Sequence, residues 1–421
     1  MSGTPSPSPH PTPGDAPVGR TAGQDRTIGS RADVATGAPA RYAEQLISHL
    51  GRTVPFTGDA ITAPATAVIG TATAGIAVGE GVRPARGPRR AVGPHRRYRN
   101  PHPRGVPDLP RHDHRGVRMT TLAPSTTAVA DARIPAAHPF AAHLRRVAAL
   151  EAEQPHRVWT PEDGPLPSLY LSHGGGPLPF QSPEWLDPLH DWARALPKPK
   201  AILVVSAHWE SAPLSVSAAR PSELVYDFGG FDALYHTVRY DTPDAGDLAR
   251  QVVGLMPDTE QVHQHARRGL DHGAWVPLKI MYPAADVPVL QLSLPTEDPE
   301  ELLALGERLR PLREQGVLVV GSGHMTHGLP FLTREMWLEN QVPGWSADFD
   351  AWAADALARG DVAELTRFRT AAPGMPYAHP TVEHFTPLFV SLGAATDPTA
   401  PVLTTLDGYG VGLSRRSFQA A

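Results

Sequence analysis

The chain has 421 residues, 19% of them charged, and a formal net charge of −5, which gives no general attraction to nucleic acid or anionic membrane. It contains no cysteine, so disulfides, thiolate nucleophiles, iron–sulfur clusters and cysteine-held zinc are excluded, and any metal must be held by histidine and carboxylate. No run of about 18 apolar residues exists to span a membrane, and no basic stretch precedes an apolar core at the N-terminus. The expected compartment is cytoplasmic.

Residues 1–36 are rich in Ser, Pro, Gly and Thr without apolar periodicity, a composition that predicts disorder. ARYAEQLISHLGR, from Ala40 to Arg52, then has helical spacing through Tyr42, Leu46, Ile47 and Leu50. Alternating Ala, Thr and Val follow, consistent with short strands, so residues 37–79 form a domain-like fragment. Residues 80–118 turn rich in Arg, Pro and His. Such a run can bind phosphate, but this one has no aromatic interleaving and no companion fold. The better reading is an appendage ahead of an internal Met119, with no nucleic-acid partner.

After a linker and N-terminal helix over 119–164, the pattern becomes regular. SLYLS (168–172), AILVVS (201–206), VPVLQLSL (287–294) and VLVVGSG (317–323) are apolar runs of strand length. Between them, residues 183–196 show helical spacing through Trp185, Leu186, Leu189, Trp192 and Leu196, and 298–314 reads as a second helix. Helices at about 346–358 and 381–393 close the chain. Near-continuous Val/Ile/Leu strands separated by helices predict an α/β fold, a mixed or parallel central sheet flanked by helices in a single domain.

The histidines fall where these strands end. His173 follows the first strand in SHGGG, His208 follows the second in SAHWE, and His324 and His327 follow the fourth in GSGHMTHGL. Singly, each is explained as a satisfied structural residue, and His156 and His190 are left as such. Together they lie beyond the carboxyl ends of strands, where open α/β sheets bind ligands. Neutral imidazole suits borderline metals, and small neighbours let metal and substrate approach the backbone. DHGAWVPL (271–278) adds His272 at a helix start, with Asp271 as a candidate N-cap. HPTVEHF (379–385) adds His379, Glu383 and His384, with no obvious local job; Glu383 or His384 could supply a third ligand.

SHGGGP, SAHWE, DHGAWVPL, GSGHMTHGL and HPTVEHFTPL, in this order, resemble the class III extradiol ring-cleavage dioxygenases, and most closely their DOPA-dioxygenase-like branch, related to protocatechuate 4,5-dioxygenase subunits. The resemblance covers about residues 165–417 and makes 165–421 the catalytic domain. It implies one divalent ion per subunit, Fe(II) or Zn(II), with O2 as co-substrate and a small aromatic diol, DOPA-like in kind, opened to a semialdehyde. It implies His173, His208 and His384 as metal ligands, with Glu383 as the alternative third. His327 matches the acid/base histidine and can approach the metal; His272 matches a second catalytic histidine. His379, Glu383 and His324 are expected to face substrate. Gly328 departs from the family, which commonly has a side-chain amide there. A zinc hydrolase on the same scaffold and a catalytically silent metal-binding protein are the alternative readings, and a homo-oligomer is left open.

Overall fold

The strands form where β-branched and leucine residues run together, because a strand buried on both faces needs apolar residues at both parities. A computed structural model describes residues 134–421 together with the strands 65–69 and 72–76. These last two, β1 (Ala65–Ile69) and β2 (Ala72–Ile76), pair antiparallel within the stretch read as short strands. They belong to a unit spanning 1–84, separate from the one spanning 85–421. The predicted disorder over 1–36, the helix at 40–52 and the basic run at 80–118 lie outside the described residues.

The second unit runs α1 (Pro139–Glu153), β3 (Ser168–Ser172), α2 (Pro183–Ala195), β4 (Ala201–Glu210), β5 (Ser215–Val216), α3 (Gly246–Gly254), β6 (His263–Gln264), α4 (His272–Met281), β7 (Val289–Leu294) and α5 (Pro299–Leu309). It continues with β8 (Val317–Gly323), α6 (Arg334–Glu339), α7 (Gly344–Arg359), α8 (Val362–Thr366), α9 (Phe368–Ala371) and α10 (Pro387–Ala394). β9 (Leu403–Leu406), β10 (Tyr409–Gly410), β11 (Leu413–Ser414) and β12 (Ser417–Ala420) end the chain. Eight strands make one mixed sheet in the order β6-β5-β7-β4-β8-β3-β12-β9. Its centre is parallel, β7 on β4 on β8 on β3, and β12 adds antiparallel to β3.

Period-two alternation along β4 splits the core. Leu203 and Val205 join the apolar layer that includes Leu302, Leu305, Phe349 and Phe389. Ile202 and Val204 join the opposite layer with Phe140, Leu186, Leu189 and Trp275. Helices therefore cover both faces, as expected, and the carboxyl ends of β3, β8 and β4 stand side by side.

Two of the boundaries that differ from expectation shape the site. β4 continues to Glu210, so His208 lies within the strand, beside a shift of register between Val205 and Glu210. The last helix begins at Pro387, not at 381. The His384 carbonyl is already engaged by the His324 amide (2.8 Å) and the Tyr170 hydroxyl (2.9 Å), so it is not spent on a helical turn. Residues 381–386 are thereby held as a turn against the end of β8. That approach needs Gly323, where a Cβ would sit 2.0 Å from the His384 oxygen.

Candidate active site

At the rim of the parallel strands, three imidazoles meet nitrogen to nitrogen. His208 Nε2 lies 3.0 Å from His173 Nε2 and 3.2 Å from His384 Nε2. His173 and His384 are buried, and His208 is nearly so. The far side of each ring decides what these nitrogens are. Ser322 donates its one hydroxyl hydrogen to the Gly273 carbonyl (2.5 Å), so toward His173 Nδ1 (2.9 Å) it can only accept, and that Nδ1 carries the proton. His384 Nδ1 faces the Glu383 carboxylate at 2.8 Å, and a carboxylate accepts. His208 Nδ1 stands 3.4 Å from Asp227 Oδ2 with no hydrogen bond between them, and the carboxylate charge favours the proton on that nitrogen. The Nε2 atoms of His173 and His384 are then lone pairs, and the Asp227 charge favours the same tautomer in His208.

Three lone pairs aimed at one another repel, and a cation among them removes the repulsion. The spacing fits one: adjacent ligands at about 2.1 Å from a metal lie about 3.0 Å apart when they subtend a right angle. The backing of each Nδ1 by a carboxylate or hydroxyl is the outer-shell pattern that fixes tautomer and ring orientation in metal-ligating histidines. Burial first, and the neighbouring His208 and His272 next, hold His173 well below the usual imidazole range, which keeps it neutral. The donor set therefore fits a divalent ion of the iron or zinc kind.

Two more histidines close the site. His327, half-buried after β8, stacks on His384 with ring centres 3.4 Å apart and planes 15° from parallel, its amide bonded to the Ala378 carbonyl. His272 lies 4.0 Å, ring to ring, from His208. Its backbone amide (3.0 Å) and Nδ1 (2.8 Å) both donate to Asp227 Oδ1. Burial alone would lower the His272 pKa, but the Asp227 charge and hydrogen bond raise it overall. Burial correspondingly pushes Asp227 up, and His272 and His208 outweigh it, leaving that carboxyl well below its ordinary range. Gly273 keeps room for the cluster, since a Cβ there would lie 3.0 Å from His208 Cδ2 and 3.2 Å from His173 Nδ1.

The remaining expected residues have other positions. Glu383 accepts from Thr381 Oγ1 (3.0 Å) as well as from His384 Nδ1, so it has the local job that the sequence did not reveal. His379 turns Nε2 to the Met325 carbonyl (2.9 Å) and packs against Phe349 and Phe385, which braces the turn; burial lowers it to about 4. His324 is buried among His173, His327 and Trp185, with ring centres 6.3 to 6.4 Å away, and burial lowers it to about 4. Asp271 occupies the N-cap position of α4 but does not cap it. Its buried carboxylate accepts instead from Ser206 (2.8 Å), Gln291 and Arg268 (3.2 Å). Arg268 also lies over Trp209. Asp227 was not singled out by the sequence.

The chain is similar to known proteins over the same region. Residues 166–410 match the family model described as the catalytic LigB subunit of aromatic ring-opening dioxygenase. A protein of Beta vulgaris called 4,5-DOPA dioxygenase extradiol is 39% identical over 246 residues, 56% of this chain and 88% of that one. An Escherichia coli K12 protein of the same name is 31% identical over 260 residues, 60% of this chain and 94% of its own. The crystal structure of an uncharacterized protein from Escherichia coli K12 superposes with a TM-score of 0.51 at 30% identity, covering 61% of this chain and all of that one.

Proposed function

The chain belongs to the LigB family of aromatic ring-opening dioxygenases, in the extradiol, DOPA-dioxygenase-like branch, and on that premise we propose that it opens a catechol beside its diol, with O2, to a semialdehyde. The observation that carries the metal-dependent reading is the convergence of the Nε2 atoms of His173, His208 and His384 at 3.0 and 3.2 Å. We assign these three as ligands and Glu383 as the group that orients His384. Fe(II) is the proposed ion, because the chemistry is oxidative and zinc is redox-inert. A metal held by these residues would bring the diol and O2 together.

The side chains around it handle protons and orientation. His327, stacked beside the ligand His384, takes a phenolic proton as the diol enters and returns it as the ring opens. His272, its Nδ1–H given to Asp227, turns Nε2 to substrate or oxygen. His324 forms part of the wall between His173 and His327. Two of the relatives are named for 4,5-DOPA, and a DOPA-like catechol is the proposed substrate. We assign this chemistry to residues 165–421, with 1–118 an appendage that takes no part.

The test is anaerobic reconstitution of the full chain with Fe(II) or Zn(II), followed by air and a panel of catechols that includes DOPA. The expected result is O2 uptake with a yellow semialdehyde absorbance, dependent on Fe(II) and lost in His327→Ala. Absence of O2 uptake with Fe(II), beside tight stoichiometric zinc, would overturn it.

A further inference from the structure

Asp227 lies in the irregular segment between β5 and α3, 45 residues before His272 in sequence, yet it meets two histidines of the site at once. Its Oδ1 accepts both the amide hydrogen (3.0 Å) and the Nδ1 hydrogen (2.8 Å) of His272. Its Oδ2 stands 3.4 Å from His208 Nδ1. The carboxylate is almost wholly buried, with 8% of its side chain exposed. A carboxylate only accepts, so His272 turns a protonated Nδ1 toward it and directs Nε2 the other way, while His208 Nδ1 lies within reach of its charge without a hydrogen bond to Oδ2.

The segment that carries it is braced on both sides. The Tyr226 hydroxyl donates to the Val238 carbonyl (2.7 Å), and its ring meets Trp275 edge-on. Phe228 packs against Trp275 and meets His272 edge-on at 5.8 Å. The Trp275 indole donates to the Val225 carbonyl (3.3 Å). A carboxylate held this way needs little reorganisation when its partners are loaded.

We propose that Asp227 is a positioning residue that aims the substrate-facing His272 through two hydrogen bonds and, through its charge 3.4 Å from Nδ1, favours the metal-binding tautomer of His208, so that one carboxylate couples metal binding to substrate binding. This rests on the proposed metal site. Outer-shell partners of metal-binding histidines are commonly worth roughly 10- to 100-fold in affinity, and the shared carboxylate extends that dependence to a histidine outside the ligand set.

The experiment titrates Co(II) anaerobically into the full chain and its Asp227→Asn, Asp227→Glu and Asp232→Asn variants, reading the visible d–d bands, with Fe(II) turnover measured in parallel. Asp232 is an exposed carboxylate of the same segment that accepts from the Leu234 amide (2.9 Å). It serves as the control and should leave both readouts unchanged. Asp227→Asn is expected to weaken Co(II) binding roughly 10- to 100-fold, alter the bands, and change kcat and KM together. Asp227→Glu, which keeps the charge, should recover part of the affinity. If Asp227→Asn fails to fold, Asp227→Glu alone decides, through altered bands and an altered kcat-to-KM split. Wild-type affinity, bands and kinetics in the folded Asp227 variants would overturn the inference while leaving the proposed function standing. A wild type that takes up no metal would sink both.

Discussion

Two groups of buried histidines can be compared directly in this molecule. One is the trio His173, His208 and His384 at the ends of parallel strands. The other pairs His143 of α1 with His190 of α2, rings edge to face at 5.5 Å, both almost fully buried. Burial does not distinguish them. In the first group every Nδ1 has an oxygen behind it and the Nε2 atoms converge. In the second, His143 Nδ1 accepts from Arg146 at 3.3 Å, which leaves the proton on Nε2, an atom without a hydrogen-bond partner. His190 Nδ1 has none either, and the two rings meet edge to face with no third donor gathered with them among the described residues. What makes a candidate metal centre is the direction of lone pairs, and that direction is set by partners outside the ring.

The largest effect should come from removing a converging nitrogen. His384→Ala is expected to abolish stoichiometric Fe(II) uptake and turnover, whereas His143→Leu keeps both. Metal analysis of the anaerobically loaded proteins, beside O2 uptake, checks the pair. Metal retained by His384→Ala, or lost in His143→Leu, would break the comparison. A smaller effect should follow from Glu383→Gln. The amide oxygen can still face His384 Nδ1, but without the charge that strengthens the bond. Fe(II) affinity should fall roughly 10- to 100-fold with the fold intact, as read by competition with a chelator. Unchanged affinity would mean that His384 is aimed by its backbone alone.

Much of this was legible in the sequence because the strands at the centre of the sheet are dominated by Val, Leu and Ile, and a histidine comes soon after three of these runs. The strands 168–172 and 317–323 have the bounds read from composition, and because the two strands are neighbours the imidazoles that follow them leave the sheet side by side. What stayed hidden depends on direction and distance. HPTVEHF looked like a run of donors, yet only folding decides that His384 turns inward while His379 turns to the Met325 carbonyl. The late start of α10 follows from a carbonyl committed to β8 and Tyr170, contacts that no local pattern records. Asp227 sits in a segment without periodicity, and its partner is far along the chain. A lone acid in such a loop carries no signal until His272 is beside it.

The smallest effect is one of pH, and it sharpens the contrast from the other side. Burial, with His143, Arg146 and Arg194 adding to it, holds His190 at about 4 against an ordinary 6.5. The unfolded chain therefore binds the extra proton first as pH falls. The contribution of neutral His190 is complete above about 6.5, is lost progressively as pH drops toward 4, and levels off below that. With some allowance for water reaching the seam between α1 and α2, the loss should be on the order of 1–2 kcal/mol. Other buried histidines add slopes of their own, so the informative quantity is a difference. Urea denaturation of metal-free wild type and His190→Phe, from pH 7 to 4.5, should give a flatter profile for the variant by that amount. Parallel profiles would show that the helix seam does not hold His190 neutral. The two groups would then differ in the cost of burying an imidazole as well as in the direction its lone pairs take.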